Sequence, residues 1–118
     1  MIVHIVKQIE WAEAVARGRY APASVSDEGF IHCSTVGQLV DTANRFYRGH
    51  AGLAVLCIDE SRLKAELRYE APVGAHGEAA GQRFPHLYGE LNLDAVVRVV
   101  ELPCEADGSF RLPDGLRA

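Results

Sequence analysis

Apolar and polar positions divide the chain into short alternating runs. Ile2–Val6 (IVHIV) is a β-rich run in which residues 2, 4 and 6 share a face, so His4 stands among apolar neighbours. Gln8–Arg17 has helical spacing, with Ile9, Ala12, Val15 and Ala16 as the expected inner stripe, Trp11 close to it and Gly18 as the stop. Arg19–Asp27 is rich in turn formers and reads as a loop. Phe30–Ser34 is a strand end that places Phe30, His32 and Ser34 on one face and Ile31 and Cys33 on the other. Thr35 is the expected N-cap of the next helix, with Gln38 completing a capping box. Val36, Leu39, Val40, Ala43, Phe46 and Tyr47 form its apolar stripe, and Gly49 ends it.

Leu53–Ile58 (LAVLCI) is an unbroken apolar run, which suits a strand in the middle of a sheet. Asp59–Leu63 reads as one helical turn. Glu66–Glu70 alternates as a strand with one wet face. Ala71–Arg83 reads as a long loop suited to a lid. Order resumes at Phe84–Leu91, Ala95–Leu102 is the last strong strand, and Asp107-Gly108 predicts a hairpin to Ser109–Leu112 followed by a polar tail. Two helices early and strands with short connections later predict an α+β fold with antiparallel pairing. The first strand is not followed by GxGxxG, which argues against a dinucleotide-binding doubly wound sheet.

Composition narrows the function classes. The 118 residues suit one domain, 1–118, with a self-supporting core. The net charge of −4 offers no basic footprint for duplex nucleic acid. No apolar run is long enough to span a membrane, and MIVHIV lacks the charged lead of a signal peptide. Cys33, Cys57 and Cys104 are widely spaced and odd in number, which points to reduced thiols and a cytoplasmic location.

Four polar positions interrupt apolar strands or flank ordered corners. His4 is either a hydrogen-bonded strand histidine or a ligand contact. His32 and Ser34 share a strand face beside helix N–H groups, a place that can hold an anion or simply cap the helix. Glu70 is either a solvated strand end or a carboxylate that stabilises a cationic transition state. His86 and Tyr88 lie on one face of FPHLYG, as pocket wall or structural corner. Glu90 and Glu101 are weaker candidates, and His50 and His76 look solvated. The histidines lack the close spacing of a metal motif, so no metal is expected. No GxSxG elbow supports a serine hydrolase.

Several blocks carry a resemblance over nearly the whole chain. They are His4–Val6, Trp11, GRY at 18–20, EGFIHCS at 28–34, ANRFY at 43–47, RYE at 68–70 and FPHLYGELNLDAVV at 84–97. On these the chain resembles the bacterial family named domain of unknown function 952, which is grouped with the ADP-ribosyltransferase-like fold. The resemblance implies two small antiparallel sheets in a split-barrel-like arrangement, with two main helices in the N-terminal half. It implies a cleft for NAD, a nucleotide or a phosphorylated metabolite; the cofactor stays unknown, and NAD is a candidate substrate. His4 matches the first-strand histidine of that superfamily, His32 the second position and Glu70 the catalytic glutamate, with Glu90 and Glu101 as rivals for the last, so His4, His32 and Glu70 are the implied catalytic set. His32 is also similar to the histidine motif of RNA 2′-phosphotransferases, a branch of the same fold, which makes a 2′-phosphotransferase-like enzyme the other catalytic implication. Tyr20, Ser34, His86 and Tyr88 are the implied ligand contacts. A non-catalytic module binding a nucleotide or phosphorylated metabolite is the alternative. Neither duplex nucleic acid nor a membrane is an expected partner, and the oligomeric state stays open.

Overall fold

The structure is a computed structural model that describes residues 1–72 and 81–116. Most of the expected lid, and His76 within it, lie outside the described residues.

The elements follow as β1 (Ile2–Lys7), α1 (Gln8–Arg17), α2 (Ala23–Asp27), β2 (Ile31–His32), β3 (Ser34–Thr35), α3 (Leu39–Phe46), β4 (Leu53–Ile58), β5 (Glu66–Glu70), β6 (Phe84–Tyr88) and β7 (Val96–Leu102). One antiparallel sheet has the order β3-β1-β4-β7, and a smaller one has the order β2-β6-β5. The fold is therefore α+β with two small antiparallel sheets, as expected. Among the described residues no helix is long and apolar enough to cross a membrane.

Side-chain alternation builds two cores on the two faces of the larger sheet. Ile2, Val6, Ala54, Leu56 and Ile58 face the smaller sheet and meet Ile31 and Leu87 from it. Val3, Ile5, Leu53, Val55 and Cys57 face the other way, against Leu39 and Ala43 of α3. All six residues of β4 are buried because both of its faces are covered and both of its edges are paired, with β1 and β7.

The expected strand end Phe30–Ser34 is the joint between the sheets. Ile31 and His32 pair with β6, whereas Ser34 and Thr35 pair with β1. Cys33 between them donates its backbone N–H to the Pro85 carbonyl at 3.0 Å. Here the sheets part and a cleft opens.

Four expectations are corrected. The inner face of α1 is Trp11 and Ala14; Ile9 and Val15 are 69% and 53% exposed. Two arcs of this helix are apolar, and the small Ala14 lets the backbone approach the sheet closely. Within the expected loop Arg19–Asp27, Ala23–Asp27 is a short helix. Pro22 supplies its extended N-cap, and the Ser26 hydroxyl closes the turn on the Ala23 carbonyl. Phe46 is not core but 68% exposed. The Asp107-Gly108 turn forms, with Gly108 at φ 88°, but no strand follows it. Asn44 instead clamps the backbone of Phe110, and Phe110 and Leu116 are buried in the second core, so the tail is not purely polar.

Candidate functional site

His4 projects from β1 toward the parted strands. Its Nδ1 lies 2.7 Å from the His32 carbonyl and its Nε2 lies 2.7 Å from the Tyr20 hydroxyl. A carbonyl can only accept, so Nδ1 donates, and neutral Nε2 accepts the Tyr20 proton. Burial pushes the His4 pKa down to about 4, which keeps the ring neutral and this pattern intact at pH 7. His4 thus ties the first strand to β2 and orients Tyr20. Burial, then the charge of Glu10, raises the Tyr20 hydroxyl, which stays protonated to donate.

The smaller sheet presents a second cluster on one face. His32 and His86 are directly opposed across β2 and β6, with ring centroids 5.6 Å apart. Each meets a carboxylate. Glu28 Oε2 lies 2.9 Å from His32 Nε2, and Glu70 Oε1 lies 2.9 Å from His86 Nδ1. Glu70 Oε1 also accepts the Tyr88 hydroxyl at 2.5 Å. The Tyr88 and His86 donors hold the Glu70 carboxyl below its ordinary range, and Glu70 in turn raises the Tyr88 hydroxyl. Phe30 stacks on the His86 ring at 4.1 Å and 22°. The Arg68 guanidinium caps the Tyr88 ring at 4.5 Å.

Between the sheets runs a cleft of about 680 Å³, within the range of small-molecule sites. His4, Tyr20, His32, Ser34 and His86 line it. Glu70 and Tyr88 do not; they stand behind His86. Ser34 is buried, and its hydroxyl donates to Thr42 Oγ1 at 3.4 Å. At the following helical turn, Gln38 Oε1 accepts the Thr35 backbone N–H at 3.0 Å.

Residues 5–99 match the profile of a family described as protein of unknown function DUF952. This chain belongs to the DUF952 family. It is similar to protein CC0527 from Caulobacter crescentus: the crystal structure is 38% identical, with a TM-score of 0.80 over 98% of this chain and 96% of that one. The solution structure of CC0527 gives 38% identity and a TM-score of 0.79, covering 98% and 95%. A double mutant of CC0527 gives 37% and 0.81, covering 98% and 96%. No curated relative matches the chain.

Other cleft residues of this DUF952 protein carry chemistry that the sequence reading did not assign. Glu28 lines the cleft beside His32. Its signal in the sequence is the four-residue spacing of Glu28 and His32 within EGFIH. Glu10 and Lys7 also line the cleft, and Lys7 is the one lysine or arginine among the described lining residues. Phe46 belongs to the wall because α3 has two adjacent stripes. Leu39 and Ala43 face the core, while Thr42 and Phe46, one turn apart, face the cleft. The Cys33 thiol also borders the cleft, but burial pushes its pKa up to about 12, which suppresses the nucleophilic thiolate. Among the described residues no three His, Cys, Asp or Glu side chains group as a metal site.

Proposed function

We propose that this cleft binds an NAD-type nucleotide and acts on its N-glycosidic bond, in the ADP-ribosyltransferase-like manner that the sequence resemblance implies. The observation that carries the reading is the meeting of His4, Tyr20, His32, Ser34 and His86 around one cleft, with the Glu28 carboxylate on its wall. Loss of nicotinamide from a ribose leaves positive charge at C1′ and its ring oxygen. A fixed carboxylate beside that centre stabilises it, and since the Glu28 side chain is 44% exposed in the open cleft, the bound ligand itself has to displace the water around it. Glu28, oriented by His32, can supply that charge. His4 acts by holding Tyr20 and the β2 backbone in place, since both of its nitrogens are occupied.

The test is incubation with NAD and chromatographic measurement of nicotinamide. Glu28→Gln should slow release on the order of 100-fold while changing NAD affinity little. Full release by that variant would remove the carboxylate from the mechanism.

A non-catalytic module for a nucleotide or phosphorylated metabolite is the second reading. The filled valences of His4 and the placement of Glu70 behind the wall favour it. Saturable binding of NAD or ADP-ribose with no nicotinamide release from NAD would select it.

A further inference from the structure

We propose that His86 is the general base of this cleft and that Glu70 and Tyr88 are positioning residues that act through it. The inference rests on the glycosidic reading above and deepens it by separating the two carboxylates: Glu28 faces the ligand, and Glu70 works from behind.

A comparison of two histidines carries the argument. His4 has protein partners on both ring nitrogens, the pattern of a histidine that builds the fold. His86 is 3% exposed, yet only Nδ1 is engaged, by Glu70. Among the described residues no buried side-chain nitrogen or oxygen lacks a partner, so Nε2 is not sealed in the core. Its outlet is the cleft, which His86 lines.

The tautomer follows from the partner. An ionised carboxylate only accepts, so Nδ1 carries the hydrogen and Nε2 carries the lone pair. Three contacts fix the ring. Glu70 grips Nδ1, Phe30 stacks on the ring at 4.1 Å, and β6 is hydrogen-bonded on both sides, to β2 and β5. Glu70 is fixed in turn by the Tyr88 hydroxyl on the same oxygen. A base aimed by a carboxylate held behind it is a recurring arrangement in general-base catalysis.

The step balances with water as nucleophile. The C1′–N bond of the pyridinium riboside breaks, and its electron pair leaves with nicotinamide, which departs neutral. The water oxygen bonds to C1′, and its proton passes to Nε2 of His86, which later returns it to solvent. A neutral leaving group needs no proton, so one base suffices and His32 is free to hold Glu28. The titratable groups around His86 are Glu70 and Arg68 from β5, Tyr88 from its own strand and His32 from β2, with Glu28 beyond it.

The experiment joins a tautomer measurement to turnover. Long-range ¹H–¹⁵N spectra of the wild-type protein should show His86 as the Nδ1–H form. Glu70→Gln, at the exposed edge of the sheet, should admit the other tautomer. It should also slow nicotinamide release about 10- to 100-fold and displace the acid limb of its pH profile, with NAD affinity unchanged. His86→Gln should lower release by at least about 100-fold while NAD still shifts the His32 signal. An Nε2–H tautomer in the wild type, or wild-type release and pH profile in Glu70→Gln, would overturn the inference while leaving the glycosidic reading standing. Failure of the wild-type protein to bind NAD overturns both.

Discussion

The neutral His4 ring makes the fold sensitive to mild acid. An unfolded histidine titrates near 6.5, whereas burial lowers His4 in the folded chain to about 4. Between those values the unfolded chain takes up a proton that the folded one refuses. Stability is therefore full above pH 6.5, falls as the pH drops, and levels off below about 4. At about 1.4 kcal/mol for each pH unit, the whole interval is worth about 3 kcal/mol, of which about 2 kcal/mol is lost by pH 5. His4 is only partly buried in the cleft wall, so these values are upper bounds. A loss of about 2 kcal/mol lowers a urea midpoint by about 1 M. The assay is urea unfolding at pH 7 and pH 5, followed through the single tryptophan, Trp11, whose ring is 6.0 Å from Tyr20. His4→Gln keeps a donor and an acceptor but cannot titrate. It should start less stable by about 1 kcal/mol and lose less stability between the two pH values. The remaining histidines are common to both proteins and cancel. Carboxylates such as Glu70 and Asp59, which are lowered in the fold, add acid sensitivity mainly below this window. Equal losses in wild type and variant would refute the neutral His4 ring.

Other consequences follow from the same packing. Phe46→Ala should leave the urea midpoint nearly unchanged, because the ring is exposed, but weaken NAD binding about tenfold by removing an aromatic cleft wall; unchanged affinity would dismiss that role. Iodoacetamide at neutral pH should label the half-buried Cys104 and spare Cys33, with peptide mass spectrometry as the readout; prompt labelling of Cys33 would contradict its buried thiol. Gly89→Ala should cost about 1–3 kcal/mol in urea unfolding, since φ is 145° and the new Cβ would meet the Ala65 Cβ at 3.0 Å; a neutral effect would show that the corner relaxes freely.

Much of the architecture was legible because it is periodic. The run LAVLCI is a central strand because only a strand covered on both faces tolerates unbroken apolar residues. The elements α1, α3, β5 and β7 appear where their spacing puts them. Choices between similar arcs were not legible. In α1, Ile9/Val15 and Trp11/Ala14 are both apolar, and only close approach to the sheet selects the second. Phe46 fits the helix stripe by period, but the parting of the sheets leaves that end of α3 beside open space.

The candidate site follows the same division. Alternation set Phe30 beside His32 and His86 beside Tyr88, since strand faces are local, but the meeting of the two pairs depends on the β2–β6 register, which alternation does not encode. Which carboxylate lines the cleft was hidden, because it depends on the short helix α2 delivering Glu28 to His32 and on Tyr88 and His86 holding Glu70 behind the wall. No periodicity encodes that long-range geometry.

The most direct test of a shared ligand cleft follows the histidine side-chain NMR signals while NAD, ADP-ribose and a 2′-phosphorylated nucleotide are added in turn. Saturable shifts of His4, His32 and His86 with one common affinity, while His50 on the Tyr47 carbonyl stays still, are the predicted result. If none of the three ligands moves those signals, or if they move with unrelated affinities, the cleft is not the site of a nucleotide-type ligand.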